Sequence, residues 1–159
     1  MEAARPAISI VIPALGAGGT LPRVLEGFAR QSVPATQFEL IVGLDAAAAE
    51  EEPLQRLLDG CPYPARLVRG DRPGASANRN AGARAATAPL VLFCDDDTIP
   101  VPEMLAEHVA WHRNHPEPEV AVLGLVRWAP ELEVTAFMRW LDRGIQFCLL
   151  YTSPSPRDS

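Results

Sequence analysis

Residues 90–105 read LVLFCDDDTIPVPEML. Leu90 to Cys94 is a short apolar run of the kind that forms a buried strand. Asp95, Asp96 and Asp97 follow at once, and Pro102 then opens a helix that should run to about Arg113. Adjacent carboxylates at the end of a buried strand repel one another. They stay ionised only where they are solvated, hydrogen-bonded or paired with a cation. On extended backbone, Asp95 and Asp97 face one side and Asp96 the other, so one side presents two carboxylates to a hard divalent ion. Mg²⁺ typically takes one or two protein carboxylates and completes its shell with phosphate oxygens and water. The plain alternative is a solvated turn that caps the next helix. A strand followed by D-x-D-x-[TV] also marks aspartyl-phosphate phosphatases, but here Ile99 stands at the last position.

The same alternation extends in both directions. Ile8 to Ile12 is a β-branched run closed by Pro13. Thr20 then offers an N-cap, and Leu21, Val24, Leu25 and Phe28 recur at helical spacing with Pro22 in the first turn. Phe38 to Leu44 is a second apolar run, ending at Asp45. Leu54, Leu57 and Leu58 mark a short helix stopped by Gly60. Ala65 to Val68 reads as a third strand, and Ala75 to Ala86 as an Ala-rich helix interrupted by Gly82. Val120 to Val126 reads as a fifth strand and Thr135 to Arg143 as a last short helix. Strands alternating with helices predict an α/β fold, a mainly parallel sheet flanked by helices. Ligands of such sheets bind beyond the carboxyl ends of the strands. That places the informative residues at Pro13 and Ala14, at Asp45 and at Asp95 to Asp97.

Composition narrows the choice of partners. The chain has 159 residues, 48% of them hydrophobic and 21% charged, which is a globular composition. Its formal net charge is −6, and every basic residue is Arg. That balance argues against nucleic acid and anionic membranes as partners, and a phosphorylated ligand would need a metal to offset the repulsion. No apolar run reaches the ~18 residues of a membrane span. The start, MEAARPAISIVIP, lacks the order of a signal peptide. Cys61, Cys94 and Cys148 are odd in number and widely spaced, which suits a reducing compartment. The expected location is the cytoplasm, free or peripheral to the membrane's cytoplasmic face. TSPSPRDS, residues 152–159, is low-complexity. One globular domain is expected over residues 1–147, with a disordered, non-native tail over 148–159.

Taken together, three blocks resemble family 2 glycosyltransferases of the GT-A fold. ISIVIPALGAGGTLPRVLEGFARQ is similar to that family's first strand and helix. FELIVGLDAA is similar to its second strand, which ends in an acidic residue. GASANRNAGARAATAPLVLFCDDDTIPVPEML is similar to its A-R-N-x-G segment, strand and D-x-D. The resemblance covers roughly residues 6–113, and more loosely extends to 143. It implies a GT-A-like, Rossmann-type sheet, incomplete at the C-terminus. It also implies metal-dependent, inverting transfer of a sugar from a nucleotide-diphosphate sugar to an acceptor such as a glycan, lipid or small molecule. By the same resemblance, Asp97 binds Mn²⁺ or Mg²⁺, and Asp95 approaches the ribose or the metal's water shell. Asp45 recognises the nucleobase, Arg79 lies near the base and Asp45, and the backbone of Pro13 and Ala14 lines the base pocket. This chain departs from the pattern in three places. Leu15-Gly16 replaces an aromatic-Asn pair, Leu44-Asp45 replaces paired acids, and Asn78 replaces the Ala of A-R-N. The family's catalytic base lies well downstream, and Glu131, Glu133 and Asp142 lack its context. The alternatives are a sugar nucleotidyltransferase and a donor-binding fragment that catalyses nothing.

Other signals weigh less. The Gly-rich stretch Leu15 to Arg23 fails G-x-G-x-x-G at Leu21 and reads as a turn. His108, His112 and His115 share a helical face at metal-ligand spacing, but Glu107 is misplaced for H-E-x-x-H, so a mixed surface helix is expected. Arg66 and Arg69 read as exposed, and Arg72 is the better phosphate candidate. Trp128, Phe137, Met138 and Trp140 are expected to pack the end of the chain.

Overall fold

Four strands pair in parallel: β1 (Ile8–Ala14), β2 (Phe38–Leu44), β3 (Ala65–Arg69) and β4 (Leu90–Phe93), in the spatial order β3-β2-β1-β4. The computed structural model describes residues 5–143, so the expected domain end at 147 and the tail over 148–159 lie outside the described residues. The helices are α1 (Leu21–Ala29), α2 (Glu51–Asp59), α3 (Ala75–Ala85), α4 (Met104–Asn114) and α5 (Ala136–Arg143). The chain divides into two units, Met1–Val122 and Leu123–Ser159.

In the first unit the strands and helices fall where the apolar periodicity predicts them. Every residue of β1 and β2 is buried, so their apolar runs need no alternation. Ile8, Ile10 and Ile12 join Leu21, Val24, Leu25 and Phe28 of α1, Leu54 and Leu58 of α2 and Leu105 of α4 in one core. Pro13 lies within β1 rather than closing it. Cys94 N donates to Val11 O. Two residues on, Pro13 faces the same side, past the end of β4, so its missing N–H removes no ladder bond. Thr20 precedes α1, but its side chain makes no cap bond; Arg23 N and Val24 N donate to its main-chain oxygen.

The opposite face of β1 packs on α3, and Gly82 makes that approach possible. A Cβ at Gly82 would lie 2.4 Å from Val11 Cγ1, and Val11 is fully buried in a central strand. Gly82 is therefore a packing requirement rather than a weakness of the helix. Gly82→Ala should destabilise the fold by about 1–3 kcal/mol through overpacking. A urea midpoint equal to that of the wild type would contradict this account.

A second contact fixes the segment after β4. Gln31 Nε2 donates to Val101 O at 2.8 Å, and its Oε1 accepts Leu105 N at 3.0 Å. One amide at the end of α1 thus serves a first-turn N–H of α4 and holds the Pro-rich approach to it.

Residues 120–126 do not form the expected fifth strand, and the division between the two units falls inside this run. Leu123, Leu125 and Val126 are exposed. Strand propensity is realised only against a paired edge, and no strand pairs with this run among the described residues. In the second unit, α5 forms as expected, with Thr135 Oγ1 accepting Met138 N at 3.2 Å as an N-cap. Of the four residues expected to pack the end of the chain, Trp128 and Met138 are half-buried, while Phe137 and Trp140 stack on each other at 5.8 Å and remain exposed.

Candidate functional site

The chain runs from β1 outward through β2 to β3, then crosses back so that β4 lies on the other side of β1. This reversal is the topological switch point, where a parallel sheet opens a crevice at its carboxyl edge. Asp45 follows β2 and Asp95 to Asp97 follow β4, so the two acidic positions flank the end of β1. Two strand spacings, about 10 Å, separate β2 from β4.

Asp45 is 4% exposed and has several partners. Its main-chain N–H donates to Ala14 O at 3.1 Å, which joins the ends of β1 and β2. Its Oδ1 accepts Ala47 N at 2.9 Å, and its Oδ2 accepts Gly74 N at 2.7 Å and Asn78 Nδ2 at 3.3 Å. The Gly74 and Ala47 N–H groups hold its carboxyl below the usual Asp range, with a smaller contribution from Asn78 and against the effect of burial. Gly74 adopts φ +116, a conformation that side chains disfavour, so only glycine comfortably turns this N–H onto Asp45.

The acidic triplet is a turn, not the extended segment expected from the sequence. Thr98 N donates to Asp95 O at 3.2 Å, which leaves Asp96 and Asp97 at the turn's centre. Within the turn, Asp95 and Asp97 are exposed and Asp96 is half-buried. Burial, with Asp97 and Asp95 adding repulsion, raises the Asp96 carboxyl above its ordinary value. Cys94 is buried beneath the turn. Burial and the three neighbouring carboxylates push its thiol up to about 12, so it is inert as a nucleophile.

Arg79 bonds the acidic turn after β4. Its Nη2 donates to Asp95 Oδ1 at 2.5 Å, and the residue at Asp45 is Asn78, one position earlier. In the sequence, Asn78 stands out only as a departure from A-R-N. Arg69 is not simply exposed either. It pairs with Glu51 Oε2 at 2.6 Å and donates through Nη1 to Asp45 O, Ala46 O and Ala48 O, which fixes the loop after β2. Arg66 pairs with Glu39 and donates to Ala85 O. Arg72 is exposed. Beyond β1, Leu15 is 75% exposed at the mouth of the edge, and Ala17 N donates to Glu50 Oε2 at 3.2 Å.

Among the described residues, no group of three or more His, Cys, Asp or Glu side chains is arranged to hold a metal ion. The three histidines follow that rule. His108 is buried, its ring disfavouring charge through burial and through His112, and His115 stacks on Trp111 at 4.3 Å. The pair Asp95 and Asp97 nevertheless suits an ion that draws its remaining ligands from a phosphorylated substrate and water. Both carboxylates are open to solvent, and Arg79 occupies one oxygen of Asp95.

A family model described as glycosyl transferase family 2 matches residues 9–138. The chain belongs to that family. As a family 2 glycosyltransferase chain, it is 31% identical over 122 residues to validoxylamine A glucosyltransferase of Streptomyces hygroscopicus subsp. jinggangensis, covering 75% of this chain and 28% of that protein. It is 29% identical over 97 residues to an uncharacterized glycosyltransferase of Haemophilus influenzae, covering 60% of this chain and 31% of that one. The chain thus spans less than a third of the length of these relatives.

Among solved structures, it resembles the mannosyltransferase PcManGT of Pyrobaculum calidifontis, solved with GDP-Man and Mn²⁺, at a TM-score of 0.61 and 24% identity, over 74% of this chain and 34% of that one. It also resembles S. aureus TarS 1–349 with UDP-GlcNAc at a TM-score of 0.58 and 20% identity, over 74% of this chain and 37% of that one. These likenesses establish the GT-A fold. No helix among the described residues is long and apolar enough to cross a membrane.

Proposed function

We propose that this chain forms the donor-nucleotide side of a metal-dependent, inverting glycosyltransferase. The observation that carries the reading is the pair of acidic positions flanking β1 at the switch point, one bonded and buried, the other an exposed turn. Asp45 accepts from the base of a nucleotide-diphosphate sugar, beside the strand end formed by Pro13 and Ala14. Asp95, held by Arg79, faces the ribose or the metal's water shell. Asp97, with Asp95, holds Mn²⁺ or Mg²⁺ against the diphosphate. When bound, such an ion neutralises the departing diphosphate and acts as a Lewis acid. The chain's own residues bind and orient the donor. The acceptor and the base that deprotonates its hydroxyl are not assigned to residues of this chain. A cytoplasmic location belongs to the same proposal and rests on the thiols.

Titration calorimetry of the 159-residue chain with UDP, CDP and GDP, in Mn²⁺ and in chelator, tests the reading. Nucleotide should bind more tightly with the metal. Asp45→Asn should weaken binding by ~1–3 kcal/mol, because the base's N–H loses its acceptor, and should alter the ranking of bases. It should leave metal dependence in place. An unchanged ranking would remove Asp45 from base recognition.

A further inference from the structure

We infer that Arg69 is a positioning residue of the donor site, holding the loop after β2 in the shape that fixes the Asp45 carboxylate. The inference rests on the proposed role of Asp45. Arg69 is the last residue of β3 and the register partner of Leu44, which precedes Asp45. Through Nη1 it donates to three main-chain oxygens, Ala46 O and Ala48 O at 3.1 Å and Asp45 O at 3.3 Å. Through Nε and Nη2 it donates to Glu51 Oε2, at 3.2 and 2.6 Å. One planar group thus joins the end of β3, the loop after β2 and the first turn of α2.

Carbonyl oxygens that converge on one point stay together only while donors stand between them. Without the guanidinium these would turn outward to water. The loop they belong to is tight. Ala48 N donates to Asp45 O at 3.0 Å, and Ala47 N donates to Asp45 Oδ1 at 2.9 Å. Ala47 lies between the carbonyls that Arg69 gathers, so an opened loop carries its N–H away from the carboxylate. Asp45 would keep Gly74 N and Asn78 Nδ2 on Oδ2, but Oδ1 would lose the one partner it has among the described residues. Arg69 therefore acts on the donor through Asp45.

The pair adds little to folding. The Arg69 and Glu51 side chains are 38% and 59% exposed, and an ion pair so open to water contributes little. Glu51 is the first residue of α2, where negative charge suits the helix dipole, so it is in place without Arg69. Lysine is no substitute. Its ammonium is a single point of charge, whereas the fork of Arg69 serves three carbonyls through one nitrogen and a carboxylate through the other two.

Amide hydrogen exchange and calorimetry of the full 159-residue chain test this. Arg69→Ala should speed exchange at the Ala47 and Ala48 amides and leave the urea midpoint near that of the wild type. It should weaken UDP roughly tenfold. The factor should be the same in Mn²⁺ and in chelator, because the acidic turn after β4 is untouched. It should also narrow the differences among UDP, CDP and GDP, because a carboxylate free to turn discriminates less between bases. Arg69→Lys keeps the charge and should show the same changes; it carries the comparison if Arg69→Ala does not fold. General damage would lower the urea midpoint and weaken the three nucleotides alike, with their differences preserved, which would overturn the role of Arg69. So would wild-type affinity and exchange in Arg69→Lys. Wild-type UDP affinity in Arg69→Ala, with Asp45→Asn still weakening UDP, would overturn the inference and leave the site standing. Indifference of UDP to Asp45→Asn would overturn the site and this inference with it.

Discussion

Glu39→Ala is expected to destabilise the fold by about 3 kcal/mol, a large part of a small domain's stability. Glu39 is 5% exposed within β2, at the end of the sheet opposite the site. Its Oε1 accepts Ser9 Oγ at 2.6 Å, Thr87 N at 2.7 Å and Thr87 Oγ1 at 2.7 Å. Its Oε2 accepts Arg66 Nη1 at 2.5 Å. Ser9 Oγ in turn accepts Ala88 N at 3.0 Å, so one carboxylate ties β1, β2, β3 and the entry to β4. Removing it would leave the buried Ser9 hydroxyl without its acceptor, and the more exposed Thr87 and Arg66 without theirs. Burial alone would raise the Glu39 carboxyl, but the bonds from Ser9 and Thr87 and the charge of Arg66 outweigh it and hold the group at about 2. An unfolded Glu titrates near ~4.3. The folded state therefore gains stability from the ionised form above about pH 4.3 and loses it as pH falls towards 2. Urea midpoints at pH 7 and pH 3 check this. The wild type should lose more stability between them than Glu39→Gln does. Equal losses would show that the carboxylate is not the group that matters.

This network was not legible in the sequence. FELIVGL reads as an apolar run, and periodicity reports that a residue is buried without naming what lies beside it. Only the register, which sets Ser9 beside Glu39 and Ile41 beside Arg66, brings these groups together. The strands and α1 to α4 were legible because their apolar spacing directly reflects burial. The positions after β2 and β4 were legible because a charge at the end of an apolar run is a local signal. Asn78 and Gln31 act across long sequence separations, on Asp45 and Leu105, and no local signal marks them. Gly82 appeared as a weakness of its helix because propensity does not register Val11 lying against it. Residues 120–126 carry strand composition, but composition supplies no partner edge.

Asp97→Ala is expected to abolish the whole advantage that Mn²⁺ gives to nucleoside diphosphate binding, roughly tenfold or more in Kd, or at least 1.4 kcal/mol. Asp95, Asp96 and Asp97 crowd one turn, and Arg79 offsets only the first through its bond to Oδ1. A diphosphate brought to this edge without a cation meets carboxylates of its own sign. An ion held by Asp97 and Asp95, as proposed, would reverse that sign at this turn. The prediction therefore has two arms. In Mn²⁺, the variant should bind UDP far more weakly than the wild type. In chelator, it should bind UDP at least as well as the wild type, because one repelling charge is gone. Asp97 is exposed, and among the described residues only Thr98 Oγ1, at 3.4 Å, hydrogen-bonds its Oδ1, so its removal leaves no buried group unpaired there. Structural damage would weaken binding in both conditions, and a metal held elsewhere would keep the Mn²⁺ advantage intact. Calorimetry in the two buffers separates these outcomes, and a preserved metal effect in Asp97→Ala would place the ion on other ligands.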